Sequence, residues 1–548
     1  MVFARRSTTL LAAIIASCAM VLSLTACTSD NKTVVDGQTT VTSNSAGGVA
    51  VFTPSDGITL NQQMPLNKWA KLVPDLTKAL VDAGFKKGDI NHTTSDSLDK
   101  QSRAIQDFVV DHLSNNTTDD SGIAIAPDNM TLLVAPVVEA DASTRQYGDY
   151  VSQNLSTNDV TDEGATSDGE SSEDDSSKDD SSKDDSSNTE SDSTASDEQA
   201  QAVDRLVSSL KLAKESGMHV VLLGNSIEGY KPDAFVKFSD AQTIGKLQAE
   251  KMVSKLKLDK ASKDNPKYIE VLLPYTAMDE KGNANDSTFA QEAFRGIWQV
   301  LGSYYQKGVV ESPSGTLDGK STENDWQAVA YDAAKEGSTA KVLDKRLAKT
   351  DGQSTLTRID GIITMNDYIA SEVVKELDDL GYTGSAADIN PQITISGIVG
   401  NITGKKDLSR DAVPDPIKSP ENDNANDSSS SDDDSDKDTS ASDKDRDSQW
   451  PLVTGYGVYV SNIPSIVNGK QWMTGMEDRQ TIATDIAQAC AKLNKDEALN
   501  SMPSIRNSEV GGVKKIPTIS EPLLAVSASN LKSALIDPGY ISLADAGL

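Results

Sequence analysis

The sequence is poor in the residues that carry most catalysis. Its 548 positions hold three cysteines and three histidines, and aromatic residues make up 5%. Two of the cysteines, Cys18 and Cys27, stand near the start, so Cys490 alone belongs to the body of the chain. That excludes a disulfide scaffold and a cysteine-rich zinc site. Cys490 sits in "IATDIAQACAKL", where it fits the apolar face of a helix and reads as a small buried hydrophobe. His92, His112 and His219 lack the close spacing of metal ligands, and His219 opens an apolar strand. There is no G-x-S-x-G elbow. "DGKST" (318–322) echoes the end of a phosphate loop, but Ser314 stands where that loop needs its first glycine. The reading is therefore a non-enzyme that calls for no cofactor and no metal.

Charge of one sign is also scarce outside two places. The net charge is −32. Residues 151–200 hold sixteen acids against two lysines, and residues 411–450 thirteen acids against four bases. Most of the excess thus lies in two Ser/Asp-rich tracts that cannot bury enough apolar area to offset the entropy of ordering. They are expected as disordered acidic inserts, at 156–200 and 408–449. A calcium-loop pattern is absent from them, which favours solvated loops over specific cation or cell-wall binding. Clustered Lys/Arg is missing beyond the first residues, so nucleic acid is not an expected partner.

Apolar runs long enough to span a membrane are missing too. The one extended run, Leu10–Leu24, follows Arg5 and Arg6 and is too short, which marks a targeting segment. It ends in Leu24-Thr25-Ala26-Cys27, which resembles the lipobox of bacterial lipoproteins. That resemblance implies a signal peptide over 1–26, lipidation of Cys27 and an extracytoplasmic, membrane-anchored protein. The polar stretch 27–48 reads as a flexible tether.

What is abundant is alternation. Near-continuous apolar runs, "VAVFT" (49–53), "TLLVAP" (131–136), "HVVLLG" (219–224), "YIEVLL" (268–273), "DGIITM" (360–365), "ITISG" (393–397) and "PLVTG" (451–455), read as strands covered on both faces. Amphipathic helices stand between them. Leu76, Leu80 and Ala83 share a face before Gly84, Val203, Leu206, Val207, Leu210 and Ala213 before Gly217, and Ile369, Val373, Leu377 and Leu380 before Gly381. Such alternation predicts α/β structure with parallel sheets, in two Rossmann-like lobes because the units are too many for one sheet.

Seven segments in order resemble the type I periplasmic-binding-protein family, the xylose- and multiple-monosaccharide-binding lipoproteins of ABC importers. They are "VAVFTPSD…LNKWAKLVPDLTKALVDAGF", "DKQSRAIQDFV", "LLVAPVVEADAS", "HVVLLGNSIEGYKPDAFVKFSDAQTIGKLQAEKM", "IDGIITMNDYIASEVVKEL", "PLVTGYGVYVSNIPSIVNGKQWMTGMEDRQTIATDIAQAC" and "KKIPTISEPLLAVSASNLKSALIDPGYI". The resemblance implies a three-segment hinge joining an N-terminal lobe (49–225 plus 458–515) to a C-terminal lobe (226–457 plus 516–548). A small-molecule ligand, a sugar, would bind between them to a monomer that docks on an ABC permease.

In open α/β sheets ligands sit beyond the carboxyl ends of strands. The candidate ligand residues are accordingly Asp56, Trp69, Asn225, Ser226, Asn285, Asp286, Trp326, Asn366, Asp367 and Tyr456. Trp69 and Trp326 would offer aromatic faces and the others hydroxyl partners. For the two tryptophans core packing competes with this role, and for Asn366 and Asp367 helix capping does. The hinges depart from the family pattern. Gly224-Asn225-Ser226 stands where Tyr-Asp-Arg is usual, and Gly455-Tyr456-Gly457 where Gly-Gln-Asp is usual. The charged groups that grip sugar hydroxyls are missing there. That leaves open a surface receptor on the same scaffold with altered or lost sugar binding.

Overall fold

The computed structural model describes residues 32–35, 38–41, 46–55, 65–115, 125–138, 142–157, 190–278, 285–348, 356–386 and 448–547. The chain divides into residues 1–44 and 45–548. In the first unit Lys32–Val35 pairs antiparallel with Gln38–Val41. The stretch read as a tether therefore contains a hairpin. Asp36-Gly37, between the two strands in sequence, is a dipeptide that favours tight two-residue turns. Cys27 and Asp56, the "ITISG" run, residues 158–189 of the first acidic tract and nearly all of the second lie outside the described residues.

The second unit holds two main sheets, one wholly parallel and one parallel except for an antiparallel pair, Ile505–Val510 with Val513–Ser520, at one edge. In chain order the strands used below are β1 (Gly48–Pro54), β2 (Ile90–Ser95), β3 (Met130–Val134), β4 (His219–Leu223), β5 (Ala234–Lys237), β6 (Lys267–Val271), β7 (Val310–Glu311), β8 (Gly361–Ile363), β9 (Leu452–Thr454), β10 (Met473–Met476), β11 (Ile505–Val510), β12 (Val513–Ser520) and β13 (Leu524–Ser527). The first sheet runs β11-β12-β5-β4-β3-β1-β2 and the second β7-β6-β8-β9. Each is thus built outward from its first strand in the order 2-1-3-4, a doubly wound arrangement.

Side-chain direction explains the apolar runs. Val49, Val51, Leu133, Val221 and Leu223 pack on one face of the first sheet, under helices Trp69–Asp82 and Arg479–Leu493. Ala50, Phe52, Leu132, Val134, Val220 and Leu222 pack on the other, under Leu98–Asn115 and Glu190–Glu215. Alternate residues feed two cores, so a strand has no polar face. Cys490 lies buried in the first of these. The second lobe gathers around Ile269, Val271, Ile362, Ile363 and Val453. Its helix Ala241–Leu256 opens with a reciprocal capping box between Asp240 and Thr243. Gly381 closes Asp367–Leu380 at φ 94, with the Tyr382 N–H returning to the Leu377 carbonyl.

Several boundaries differ from the sequence reading. Ala234–Lys237 and Val513–Ser520 pair within the first sheet. The first and third crossings therefore follow Lys237 and Ser520, not 225 and 515. The second lies near Glu477 rather than at 457/458, because Trp472 and Met473 still pack in the second-lobe core. Helix Glu190–Glu215 begins ten residues inside the expected insert 156–200. The second tract is shorter than 408–449, since Ser448 and Gln449 pair with Thr383 on the far side of the insert.

Candidate functional site

Three crossings meet at the lobe boundary. β10 pairs antiparallel with β13, and the Ser239 N–H of the first crossing donates to Glu477 Oε1 of the second. A small core of Leu66, Val458, Ile463, Ile466, Met476, Val526, Leu531 and Leu535 covers this hinge with the C-terminal segment.

The carboxyl ends of β8 and β9 deliver Asn366, Asp367 and Tyr456 to the same place. Met365 takes a left-handed conformation (φ 70), which costs free energy for a residue other than glycine, asparagine or aspartate. Its carbonyl is held by Gln248 Nε2 at 2.9 Å, and Gln248 Oε1 accepts from Thr454 Oγ1 at 2.6 Å. Asn366 then caps the helix, its Oδ1 accepting from the Ile369 N–H at 2.9 Å. Asp367 is fully buried and accepts from Gln471 Nε2 (2.7 Å), the Tyr459 N–H (2.9 Å) and Thr474 Oγ1 (2.9 Å). Gly455 permits this approach, because a Cβ there would stand 2.2 Å from Asp367 Oδ1. Tyr456 is buried too, its hydroxyl accepting from Asn67 Nδ2 (2.9 Å) and lying 2.6 Å from Ser239 Oγ.

The other candidates are placed as follows. Trp69 packs edge-on against Tyr150 and Phe238 in the first-lobe core, at 5.0 and 5.7 Å between ring centroids. Trp326 packs edge-on against Tyr275 in the second. Asn285 Nδ2 donates to the Thr276 carbonyl, and Asp286 Oδ1 accepts from the N–H and hydroxyl of Thr288 at the start of helix Thr288–Gln306. Asn225 bridges the Pro136 carbonyl and the Gln153 N–H, and Ser226 donates to Asn154 Oδ1.

Residues 146–154 lie outside the candidate set and touch much of it. The Gln146 side chain accepts from Asn366 Nδ2 at 3.0 Å, and its carbonyl accepts from the Tyr459 hydroxyl at 2.8 Å. Tyr147 packs in the second-lobe core, with ring centroids 4.7 Å from Phe289 and 6.4 Å from Tyr456. Asp149 accepts from Lys68 Nζ and the Trp69 N–H. The sequence signal was the pair of tyrosines in "STRQYGDYVSQ", within an aromatic-poor chain.

Burial raises two carboxyls at the hinge. Glu477, beside Ser239 and Tyr456, is pushed up to about 7. Burial pushes Asp367 up to about 6, with hydrogen bonds from the Tyr459 N–H, Gln471, Thr474 and the Val458 N–H opposing the shift. Asp485 and Glu521, which share a hydrogen bond, shift the same way. A carboxyl whose folded pKa exceeds its unfolded value contributes stability that is complete near pH 4 and is lost as pH rises through the folded value. Shifts of this size correspond to about 3 kcal/mol for each of the two. Thermal unfolding followed by circular dichroism is expected at a midpoint several degrees lower at pH 8 than at pH 5. Glu477→Gln, which removes one of the two titrations, should flatten that dependence.

Among the described residues no cluster of three or more His, Cys, Asp or Glu could hold a metal, and no helix is long and apolar enough to cross a membrane. His92 Nε2 meets Thr53 Oγ1 at 2.9 Å, His112 lies against Phe108, and His219 meets the Asp128 carbonyl.

Fold and site together define a two-lobed α/β protein whose strand ends and crossings converge on one interlobe boundary. No protein-family model matches the sequence, and no curated protein does. Solved structures similar to it include an ABC-transporter solute-binding protein from Clostridium phytofermentans with bound β-D-glucose, at 17% identity, 91% of this chain, 99% of that one and TM-score 0.44. Another is a carbohydrate-transporter solute-binding protein from Chloroflexus aurantiacus in complex with D-glucose, at 17% identity, 92% and 98% coverage and TM-score 0.43. A third is an arabinose-binding protein from Geobacillus stearothermophilus, at 10% identity, 89% and 99% coverage and TM-score 0.41.

Proposed function

We propose that the chain is an extracytoplasmic solute-binding lipoprotein, anchored through Cys27, that captures a monosaccharide or similar small polar ligand between its lobes for an ABC permease. Binding and closure would be its whole activity, with no catalytic step. The observation that carries this reading is the convergence of Trp69, Asn225, Asn366 and Tyr456, from both lobes, on one stretch of chain at the lobe boundary. A ligand there would be gripped from both sides when the lobes close.

A thermal-shift panel of pentoses, hexoses and inositols tests it. A ligand at 100 times its Kd stabilises by about 2.7 kcal/mol, so at least one member should raise the unfolding midpoint by several degrees. If none does, the sugar assignment fails. The second reading, a surface receptor on this scaffold, is favoured by one feature. Gly224-Asn225-Ser226 and Gly455-Tyr456-Gly457 bring no charged group to the boundary, whereas charge-assisted hydrogen bonds are the strong ones in a closed site.

A further inference from the structure

Tyr147 and Tyr150 are three residues apart and are anchored in different lobes. Tyr147 is buried in the second-lobe core against Phe289. Tyr150 is buried in the first-lobe core, stacked on Phe238 at 4.8 Å and edge-on to Trp69. The chain between them is tied down on the first-lobe side. The Asp149 N–H donates to the Asn67 carbonyl, its carboxylate pairs with Lys68 at 2.7 Å, and the Tyr150 hydroxyl donates to the Lys68 carbonyl. On the second-lobe side Gln146 holds Asn366 and Tyr459. Further along, the Ser152 N–H reaches the Ser239 carbonyl of the first crossing, and Gln153 and Asn154 meet Asn225 and Ser226. Among the residues that would face a ligand, Asn225, Ser226, Asn366, the Trp69 N–H and the Tyr456 ring therefore already have partners in one continuous segment.

We propose that Gln146–Asn154 is a built-in occupant of the interlobe cleft, a strap that holds the two lobes together and must release Tyr147 before the cleft can open to a solute. This rests on the reading of the cleft as a ligand site. The physical ground is that two buried aromatic anchors and a set of cross-lobe hydrogen bonds give the strapped state an advantage that an entering ligand has to exceed. The apparent affinity of a ligand falls by the fraction of molecules that are open. The acidic tract follows the strap directly in sequence, with net −14 over residues 151–200 from sixteen acids and two lysines. The strap's C-terminal end is therefore continuous in sequence with a strongly acidic stretch.

Small-angle scattering and amide hydrogen exchange on the full-length chain, wild type against Tyr147→Ala and Tyr147→Phe, test the strap without any ligand. The expected result is a larger radius of gyration for Tyr147→Ala and about tenfold or more faster exchange in 453–459, with Tyr147→Phe like wild type because it keeps the ring in the second-lobe core. Unchanged dimensions and exchange for Tyr147→Ala would overturn the proposal and leave Tyr147 as a core side chain. If that variant does not fold, Gln146→Ala decides. Expansion in the same direction supports the strap, and wild-type dimensions overturn it. Titrating D-glucose, D-xylose, L-arabinose and D-ribose into the same samples separates the two ideas. Absence of binding to every variant removes the sugar reading and leaves the scattering result to stand or fall alone.

Discussion

Replacing Asp367 by alanine is expected to lower the stability of residues 45–548 by about 3–5 kcal/mol at pH 5.5, seen as an earlier urea midpoint. The carboxyl group is fully buried and accepts from the Tyr459 N–H, Gln471 Nε2 and Thr474 Oγ1. Alanine leaves all three donors without it, and each orphaned buried group costs about 1–3 kcal/mol. The cost should shrink as pH rises. Above about 6 wild type holds a buried ionised carboxylate at some expense, and alanine removes that expense as well as the hydrogen bonds. Asp367→Asn keeps the shape and one acceptor oxygen and should cost about 1–2 kcal/mol. The two substitutions separate the roles weighed for this residue. A variant that keeps full stability and loses only sugar binding would show Asp367 facing ligand. The geometry predicts the reverse order, stability first, because each bond named ends on the protein's own chain at residues 459–474, ahead of the second crossing.

That residue also shows what the sequence made legible. Asn366-Asp367 could be placed at a strand end, at the opening of a helix and near the lobe boundary, because strand, turn and cap are local chemistry. The partners could not be placed. Gln471 is 104 positions away from Asp367, and Asn67 is 389 from Tyr456. No local period reports such contacts. Central strands were readable because both faces are buried, and β2 was not. "INHTTS" is an edge strand, exposed over most of its length, and it lacks an apolar run. Trp69 and Trp326 illustrate the other limit. An aromatic residue that stacks on a ligand and one that packs in a core have the same identity, and only burial against Tyr150 or Tyr275 separates them. The strap was invisible for a third reason. "STRQYGDYVSQ" follows neither the period of a helix nor that of a strand, so its two anchors appear only once both lobes are in place.

The second large effect lies inside the second lobe, away from the boundary. Glu270 on β6 is fully buried. Its Oε1 accepts from Ser312 Oγ at 2.7 Å and the Ser314 N–H at 2.8 Å, and its Oε2 faces Arg346 Nη1 at 3.5 Å. Arg346 also donates to the carbonyls of Val271 and Val329. Burial lowers the guanidinium's pKa and Glu270 opposes that shift. One ion pair thus fastens three pieces of chain: strand β6, the loop after β7 and the turn before residue 330. Removing one member leaves the other buried without its counter-charge, which costs about 3–5 kcal/mol. Arg346→Met fills most of the volume and should nevertheless show a loss of that size. Glu270→Gln should lose less, since an amide oxygen still accepts from Ser312 and Ser314 while Arg346 keeps its two carbonyls. The double variant Glu270→Gln/Arg346→Met should recover part of the loss, because the pair as a whole is worth less than its breakage. Urea unfolding of the four proteins checks this. Equal losses for the single variants, adding in the double, would mean that Glu270 and Arg346 act on the fold separately. Coupling of about 1–3 kcal/mol would show that the loop carrying Ser312 and Ser314 is held through the pair, and that the rigid wall this lobe presents to its partner depends on a charge buried well behind it.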